Sequence, residues 1–452
     1  MLNTPLIAKF LNNDKLNLPD NSDKSLPPIE NIPNASSQFI NWLVGFVDGE
    51  GTFSIIPDKN WNSVSFRFSI ELHVDDIEIL HKIAKTLGVG EVKRDKYHRG
   101  NSALFSVNRI GDILGVILPV FQKFPLQTTK YLDYTCFYEA IQIKLNSVNL
   151  GSRKKISPTD LIRIKRLKTS MNSGRLTIDK EQLVKLKNKV SINKWWLQGF
   201  VEGEGTFGYK HLVPYLQIAQ HKKNLFVLNA IETFLSDLFK EFKNTTGNQE
   251  FVVHYALNSK TGVYSMTVVG IDSLFNYIVP YFESMLFLTR KALDYHYWVI
   301  SVIMHKFGYY YLPEGKKMAL QISSGTNKYR YTSAKIENKI GLPSDDSISK
   351  LLALAPPLDV TSNLTHFDLV RQLTINKGGR NGFIVYIYDR ESEGNKELIG
   401  SPFSTYGAGH ETLGLRRGSR VIGRYIDTGK AYKDRYIFSS IPLSISDIQI
   451  SL

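Results

Sequence analysis

Glu50 and Glu204 each lie between two glycines at the end of nearly the same twelve-residue run, "WLVGFVDGEGTF" from Trp42 to Phe53 and "WLQGFVEGEGTF" from Trp196 to Phe207. As a helix, the first run puts Trp42, Leu43, Phe46 and Val47 on one apolar arc and Gly45 and Gly49 on the next. Gly199 and Gly203 repeat that pair in the second run. A glycine inside a helix costs about 1 kcal/mol against alanine, which makes sense where bare backbone must approach another helix closely. The expected partner of each glycine face is the other copy. Glu50 and Glu204, with Gly51 and Gly205 after them as expected helix stops, then meet at the foot of one seam. Like charges repel there, and the helix C-termini add negative potential. A divalent cation resolves the conflict: Mg²⁺ prefers carboxylate, water and phosphate oxygens. Such ions activate water and stabilise a leaving oxygen in phosphodiester hydrolysis. A single copy would read as tight packing with a solvated end; two copies with matched surroundings favour chemistry.

The surroundings do match. "VSFRFSIEL", "DDIEILHKIAKTLG" and "ALFSVNRI" follow the first run, and "VPYLQIAQ", "NLFVLNAIETFLSDLF" and "VYSMTVVG" the second. Each half then gives an apolar helix, "IGDILGVILPVF" or "IDSLFNYIVPYF", and a further segment, "LQTTKYLDY" or "LFLTRKALDY". Both close on basic stretches, "LIRIKRLKTSMNSGR" and "KMALQISSGTNKYR". Equivalent positions lie 154 residues apart at Glu50/Glu204, 161 at Lys130/Lys291 and 155 at Arg175/Arg330. A period this long means two duplicated domains, not a solenoid.

A chain of 452 residues can bury two or three cores. Its 42% hydrophobic and 12% aromatic content excludes wholesale disorder, and its formal charge of +14 favours a polyanionic partner. The lone cysteine, Cys136, excludes an internal disulfide or a cysteine-cluster zinc site and is expected to pack in the core. No apolar stretch is long enough to span a bilayer. Residues 1–37 read as a flexible leader, 38–176 and 177–340 as the two repeats, 341–380 as a linker, and 381–442 as a third unit. The leader lacks arginine and carries Asp14, Asp20, Asp23 and Glu30, the wrong chemistry for an import peptide.

Both motif runs resemble the signature helix of LAGLIDADG homing endonucleases, in the single-chain, two-motif form. The resemblance covers about residues 38–335. It implies an α+β fold: two pseudo-symmetric αββαββα domains whose motif helices form the interface and whose antiparallel sheets form a saddle over the DNA major groove. It further implies that Glu50 and Glu204 bind Mg²⁺ or another divalent cation such as Mn²⁺, while Asp48 and Glu202 support the helix or the interface. Lys130 and Lys291 match the family's basic position and Gln220 its polar one, all three near the scissile phosphates. The first half departs at that last position, where Leu72 stands.

In "VSFRFSIEL" apolar and polar residues alternate, as in a sheet with one wet face. From such a face Arg67 could read guanine and Gln217 adenine. Lys93, Arg94 and Arg99 in "KRDKYHRG" suit phosphate contacts, and Arg175 and Arg330 could brace the DNA flank. The third unit, a small β and helix-turn-helix-like element, resembles the nuclease-associated modular DNA-binding domains appended to homing endonucleases. Its carriers are "FIVYIYDR", Phe403 with Ser404, and "GRYIDTGKAYKDRYIFS". Ser419 is expected to cap a second short helix carrying Arg420 and Arg424.

These features point to a Mg²⁺-dependent homing endonuclease that makes a staggered double-strand cut in a long, near-asymmetric DNA target and so promotes group I intron mobility. The alternative is a group I intron RNA maturase, with intron RNA as partner. The expected state is a monomer without membrane association. The resemblance implies an organelle-encoded mitochondrial protein on the matrix side, and the Lys, Asn, Ile and Tyr usage fits an AT-rich reading frame.

Overall fold

The structure is a computed structural model that describes residues 10, 35–94, 101–150, 156–175, 177–246, 251–327, 341–360, 364–376, 384–392, 397–403 and 405–443. Arg99, Arg330, Ser404 and nearly all of the leader lie outside them.

The first motif forms α1 (Ser37–Glu50), capped by the Ser36 hydroxyl, which accepts from the Phe39 N–H. It runs directly into β1 (Gly51–Pro57) and β2 (Val64–His73). Then come α2 (Ile77–Leu87), β3 (Glu91–Arg94) and β4 (Ser102–Val107). A helical segment α3 closes the unit, its π-helical stretch Ile113–Ile117 flanked by the α turns Ile110–Asp112 and Leu118–Lys123. Two further helices follow, α4 (Lys130–Leu150) and α5 (Pro158–Thr169), before a connecting helix α6 (Lys180–Lys189).

The second motif repeats this order as α7 (Lys194–Glu204), β5 (Gly205–Lys210), β6 (Val213–His221), α8 (Leu225–Thr246), β7 (Val253–Asn258) and β8 (Val263–Val268). Next come the π-containing α9 (Ile271–Ser273, Leu274–Ile278, Val279–Glu283), α10 (Lys291–Lys306) and α11 (Pro313–Gly325). Both halves are therefore αββαββα with helices appended. Both sheets are antiparallel and of one topology, β1-β2-β4-β3 and β5-β6-β8-β7. Even the register agrees, since Gly51 pairs with Ile70 where Gly205 pairs with Ile218.

Period-two alternation decides what each sheet buries. Phe53, Phe66, Phe68 and Phe105 point inward and meet Phe121, Tyr134 and Phe137 from α3 and α4. In the second half Phe207 plays the part of Phe53 against Phe282, Tyr295 and Trp298. The closing segments are also equivalent. Asn172 and Asn327, both with positive φ, donate their side-chain amides to the Phe53 and Phe207 carbonyls at 3.1 and 2.9 Å.

The described residues of the stretch expected to be a linker include two helices, α12 (Asp345–Leu352) and α13 (His366–Asn376). The helix α12 buries Ile348, Leu351 and Leu352, and the Tyr309 hydroxyl donates to the Leu354 carbonyl at 3.0 Å. The start signal was present, Ser344 as cap ahead of Asp345 and Asp346. The third unit pairs β9 (Tyr386–Asp389) with β10 (Tyr436–Ser439), antiparallel, around two short helices, α14 (Tyr406–Thr412) and α15 (Val421–Tyr425).

Candidate active site at the helix seam

The helices α1 and α7 pack side by side along their glycine faces. A Cβ on Gly45 would overlap the Trp196 carbonyl, and one on Gly199 the Trp42 carbonyl, so backbone touches backbone at both positions. Farther along, a Cβ on Gly49 would sit 3.1 Å from Glu204 Cγ, and one on Gly203 3.4 Å from Glu50 Cγ. The seam therefore ends with the two glutamates flanking its axis. Gly51 and Gly205 follow, but with extended backbone (φ −77° at both) and not the left-handed stop expected. They are glycines because a Cβ there would strike Val47 and Val201.

Across the seam the tryptophans are exchanged. Trp42 Nε1 donates to Glu202 and Trp196 Nε1 to Asp48, each at 2.8 Å. Asp48 also accepts from Gln127 N, Thr128 N and Thr128 Oγ1, and Glu202 from Leu288 N and Thr289 N. Both acids are buried, and burial pushes their pKa values up against these hydrogen bonds. They lock each motif helix to the loop that leads into α4 or α10, the supporting role expected of them.

Glu50 and Glu204 differ in kind. Burial raises both pKa values, and for Glu50 the Glu204 charge adds to the rise. Countering them, Gln220 lowers the Glu204 value, and Lys130 and Lys291 lower both electrostatically. The acids line a cleft of about 670 Å³ with Asp76, Leu72, Thr289 and Lys291. Through Thr206, Gly208 and Tyr215 the cleft continues onto the wet face of the second sheet. Among the described residues, no three acids or imidazoles gather closely enough to hold an ion by themselves.

Both lysines hold backbone carbonyls at the foot of the seam. Lys130 Nζ donates to the Val47, Gly49 and Gly51 carbonyls at 2.9, 2.9 and 2.6 Å. Lys291 Nζ donates to the Gly205 carbonyl. The Lys130 ammonium thus caps the C-terminal carbonyls of α1, while Lys291 reaches the first carbonyl of β5 and lines the cleft with the acids. Burial lowers the Lys130 pKa, and the nearby acids oppose that.

On the first sheet Arg67 lies between inward Phe66 and Phe68 and bonds Asn108 at 2.8 Å. Gln217 occupies the same kind of place on β6 and bonds Thr267 at 3.1 Å. Both belong to the wet faces. Lys93 and Arg94 belong to edge strand β3, not to the turn; Lys93 pairs with Glu91 at 2.6 Å, and both are exposed.

Arg175 departs from the DNA-bracing expectation. Its side chain is only 8% exposed and pairs with Asp133 at 3.0 Å, with Cys136 Sγ alongside. The reason is the partner on α4, 42 residues earlier, which draws the guanidinium inward. Cys136 itself is half-buried, and burial raises its thiol pKa.

In the third unit Arg420 and Arg424 are exposed, but α15 starts at Val421, so Arg420 precedes the helix and Arg424 lies in its last turn. Ser419 accepts from the Val421 N–H at 3.3 Å instead of capping deeper. The residue that sequence reasoning missed is His410. Buried between α14 and α15, it accepts from the Ile422 N–H at 3.1 Å and joins the two helices.

A family model described as LAGLIDADG endonuclease matches residues 43–141 and again 197–302, one match for each side of the seam. The chain belongs to the LAGLIDADG endonuclease family. Among relatives, the uncharacterized mitochondrial protein RF1 of Saccharomyces cerevisiae is 24% identical over 90% of this chain and 82% of its own. The probable intron-encoded endonuclease Cox1-I1b of Schizosaccharomyces pombe is 34% identical over 37% of this chain and 41% of its own. Among solved structures, the meganuclease I-SmaMI bound to uncleavable DNA shares the fold, with a TM-score of 0.51 and 23% identity over 64% of this chain and 99% of that one. The LAGLIDADG match spans the duplicated core and stops short of the third unit.

Proposed function

We propose that this LAGLIDADG protein is a site-specific DNA endonuclease whose halves each cut one strand, giving a staggered break with short 3′ overhangs that promotes intron homing. The observation that carries the reading is the meeting of Glu50 and Glu204 in a cleft that opens onto a wet sheet face. The pair fits a hard divalent cation, because two half-buried carboxylates share one cleft and the Glu204 charge raises the proton affinity of Glu50. Glu50 and Glu204 would hold Mg²⁺, which when bound supplies Lewis acidity and an activated water. Gln220 orients the Glu204 carboxylate, and Lys130 holds the end of α1 so that Glu50 stays at the seam. Hydrolysis joins the water oxygen to phosphorus as the P–O3′ bond breaks, leaving a 5′-phosphate and a 3′-hydroxyl. Arg67 and Gln217 would read base edges, Lys93 and Arg94 would hold phosphates, and Arg420 with Arg424 would extend the contact along the flank. Its mitochondrial and intron-encoded relatives support an organellar origin.

The test is cleavage of a randomised DNA pool by the full chain with Mg²⁺, followed by mapping of the ends. Glu50→Gln and Glu204→Gln should each lose double-strand cutting by more than a hundredfold while binding the selected site in Ca²⁺ like wild type. Full cutting by both variants refutes the assignment.

A further inference from the structure

The two half-sites are built differently, and four positions account for it. Register makes Leu72 the counterpart of Gln220, each two residues beyond the isoleucine that faces Gly51 or Gly205. Asp76 and Asn224 correspond through a shared bond. Asn224 Oδ1 accepts the Thr129 N–H at 2.9 Å, and Asp76 Oδ1 accepts the Arg290 N–H at 3.0 Å. Each thus reaches from one half to the loop ahead of the other half's long helix.

A backbone N–H only donates, so the Thr129 contact settles which end of the Asn224 amide is oxygen. Asn224 Nδ2 then donates to Gln220 Oε1 at 2.8 Å. With its Oε1 so engaged, Gln220 has only its NH₂ to offer Glu204, whose pKa it lowers as a donor does. Gln220 and Asn224 are only 8% and 9% exposed, so flipping either amide would bury mismatched polar groups. In the first half the relay cannot form. Leu72 has no polar atom, and Asp76 has a carboxyl where Asn224 has the amide NH₂ that donates. Asp76 instead brings a third carboxylate to the cleft beside Glu50.

We propose that Asn224 is a positioning residue that, through Gln220, holds Glu204 ready for cleavage, and that the half-site bearing Leu72 and Asp76, which lacks this relay, cuts its strand more slowly. This rests on the reading that Glu50 and Glu204 carry the hydrolysis.

The experiment is single-turnover cleavage of an end-labelled duplex carrying a site selected from the randomised pool, with each strand followed separately. Nicking by Glu50→Gln and Glu204→Gln assigns each strand to its acid. In wild type the Glu204 strand should be cut about tenfold faster than the other. Asn224→Asp keeps the acceptor for Thr129, as Asp76 does for Arg290, but loses the donor to Gln220. It should slow the Glu204 strand by about tenfold and leave the other strand's rate and the Ca²⁺-dependent binding unchanged. The Leu72→Gln/Asp76→Asn double variant should speed the slow strand, a gain that a merely structural role cannot produce. Equal strand rates in wild type, or an Asn224→Asp protein slowed alike on both strands, would overturn the proposal. If Glu50→Gln and Glu204→Gln both cut both strands at full rate, the underlying reading of the acids fails instead.

Discussion

Four acids end the two motif helices, and their surroundings divide them into two kinds. Asp48 and Glu202 receive indole and backbone donors from both halves, whereas burial holds the pKa values of Glu50 and Glu204 up with little beyond Gln220 and two lysines to compensate. An acid whose folded-state pKa is raised supports the fold while protonated. That support is fully present below the ordinary carboxylate range and is lost as pH rises through the raised value. At neutral pH without metal, Glu50→Gln or Glu204→Gln should therefore melt about 2–4 °C above wild type, equivalent to ~1 kcal/mol. The difference should close as pH falls below the ordinary carboxylate range, where the wild-type acids are protonated in folded and unfolded chain alike. Thermal denaturation across that range checks it, and a wild type that melts higher at neutral pH would contradict it.

Among the elements, the two motif helices carry the closest constraint. Gly45 and Gly199 meet the opposite backbone, which cannot retreat without parting the helices, while a Cβ on Gly49 would crowd the Glu204 side-chain stem and meet the Gly203 Cα only at ordinary contact distance. Gly45→Ala or Gly199→Ala should accordingly destabilise the chain by about 3 kcal/mol or more through overpacking. Gly49→Ala should stay folded and lose cleavage rate, because its methyl displaces the Glu204 carboxylate. Denaturant melts beside cleavage rates separate the two; equal stability loss at Gly45 and Gly49 would count against this geometry.

The whole molecule couples a rigid duplicated core to a small appended unit, and its +14 formal charge makes any hold on DNA salt-dependent. Arg420 and Arg424 are exposed at the start and end of α15, outside the packed core of that unit, where Ile422 and His410 hold it together. Replacing both arginines with alanine should leave melting unchanged and reduce the slope of log Kd against log salt by up to about 2. An unaltered slope would confine the unit to a capping role.

How much of this was legible follows from where each interaction's partners lie. The glycine spacing, the repeated acids and the alternating strands are local patterns, each repeated within its half, so residue order alone determined two matched halves with Glu50 and Glu204 at one seam, and the family resemblance supplied the αββαββα order. Even the Leu72/Gln220 asymmetry was visible there. Tertiary structure alone decided where long side chains end. Lys130 turns to carbonyls of α1 about 80 residues earlier, Arg175 is drawn inward by Asp133, and Asn224 reaches the opposite half at Thr129. A flexible cation or amide takes whichever partner burial leaves beside it, and that partner comes from distant chain brought close only by folding.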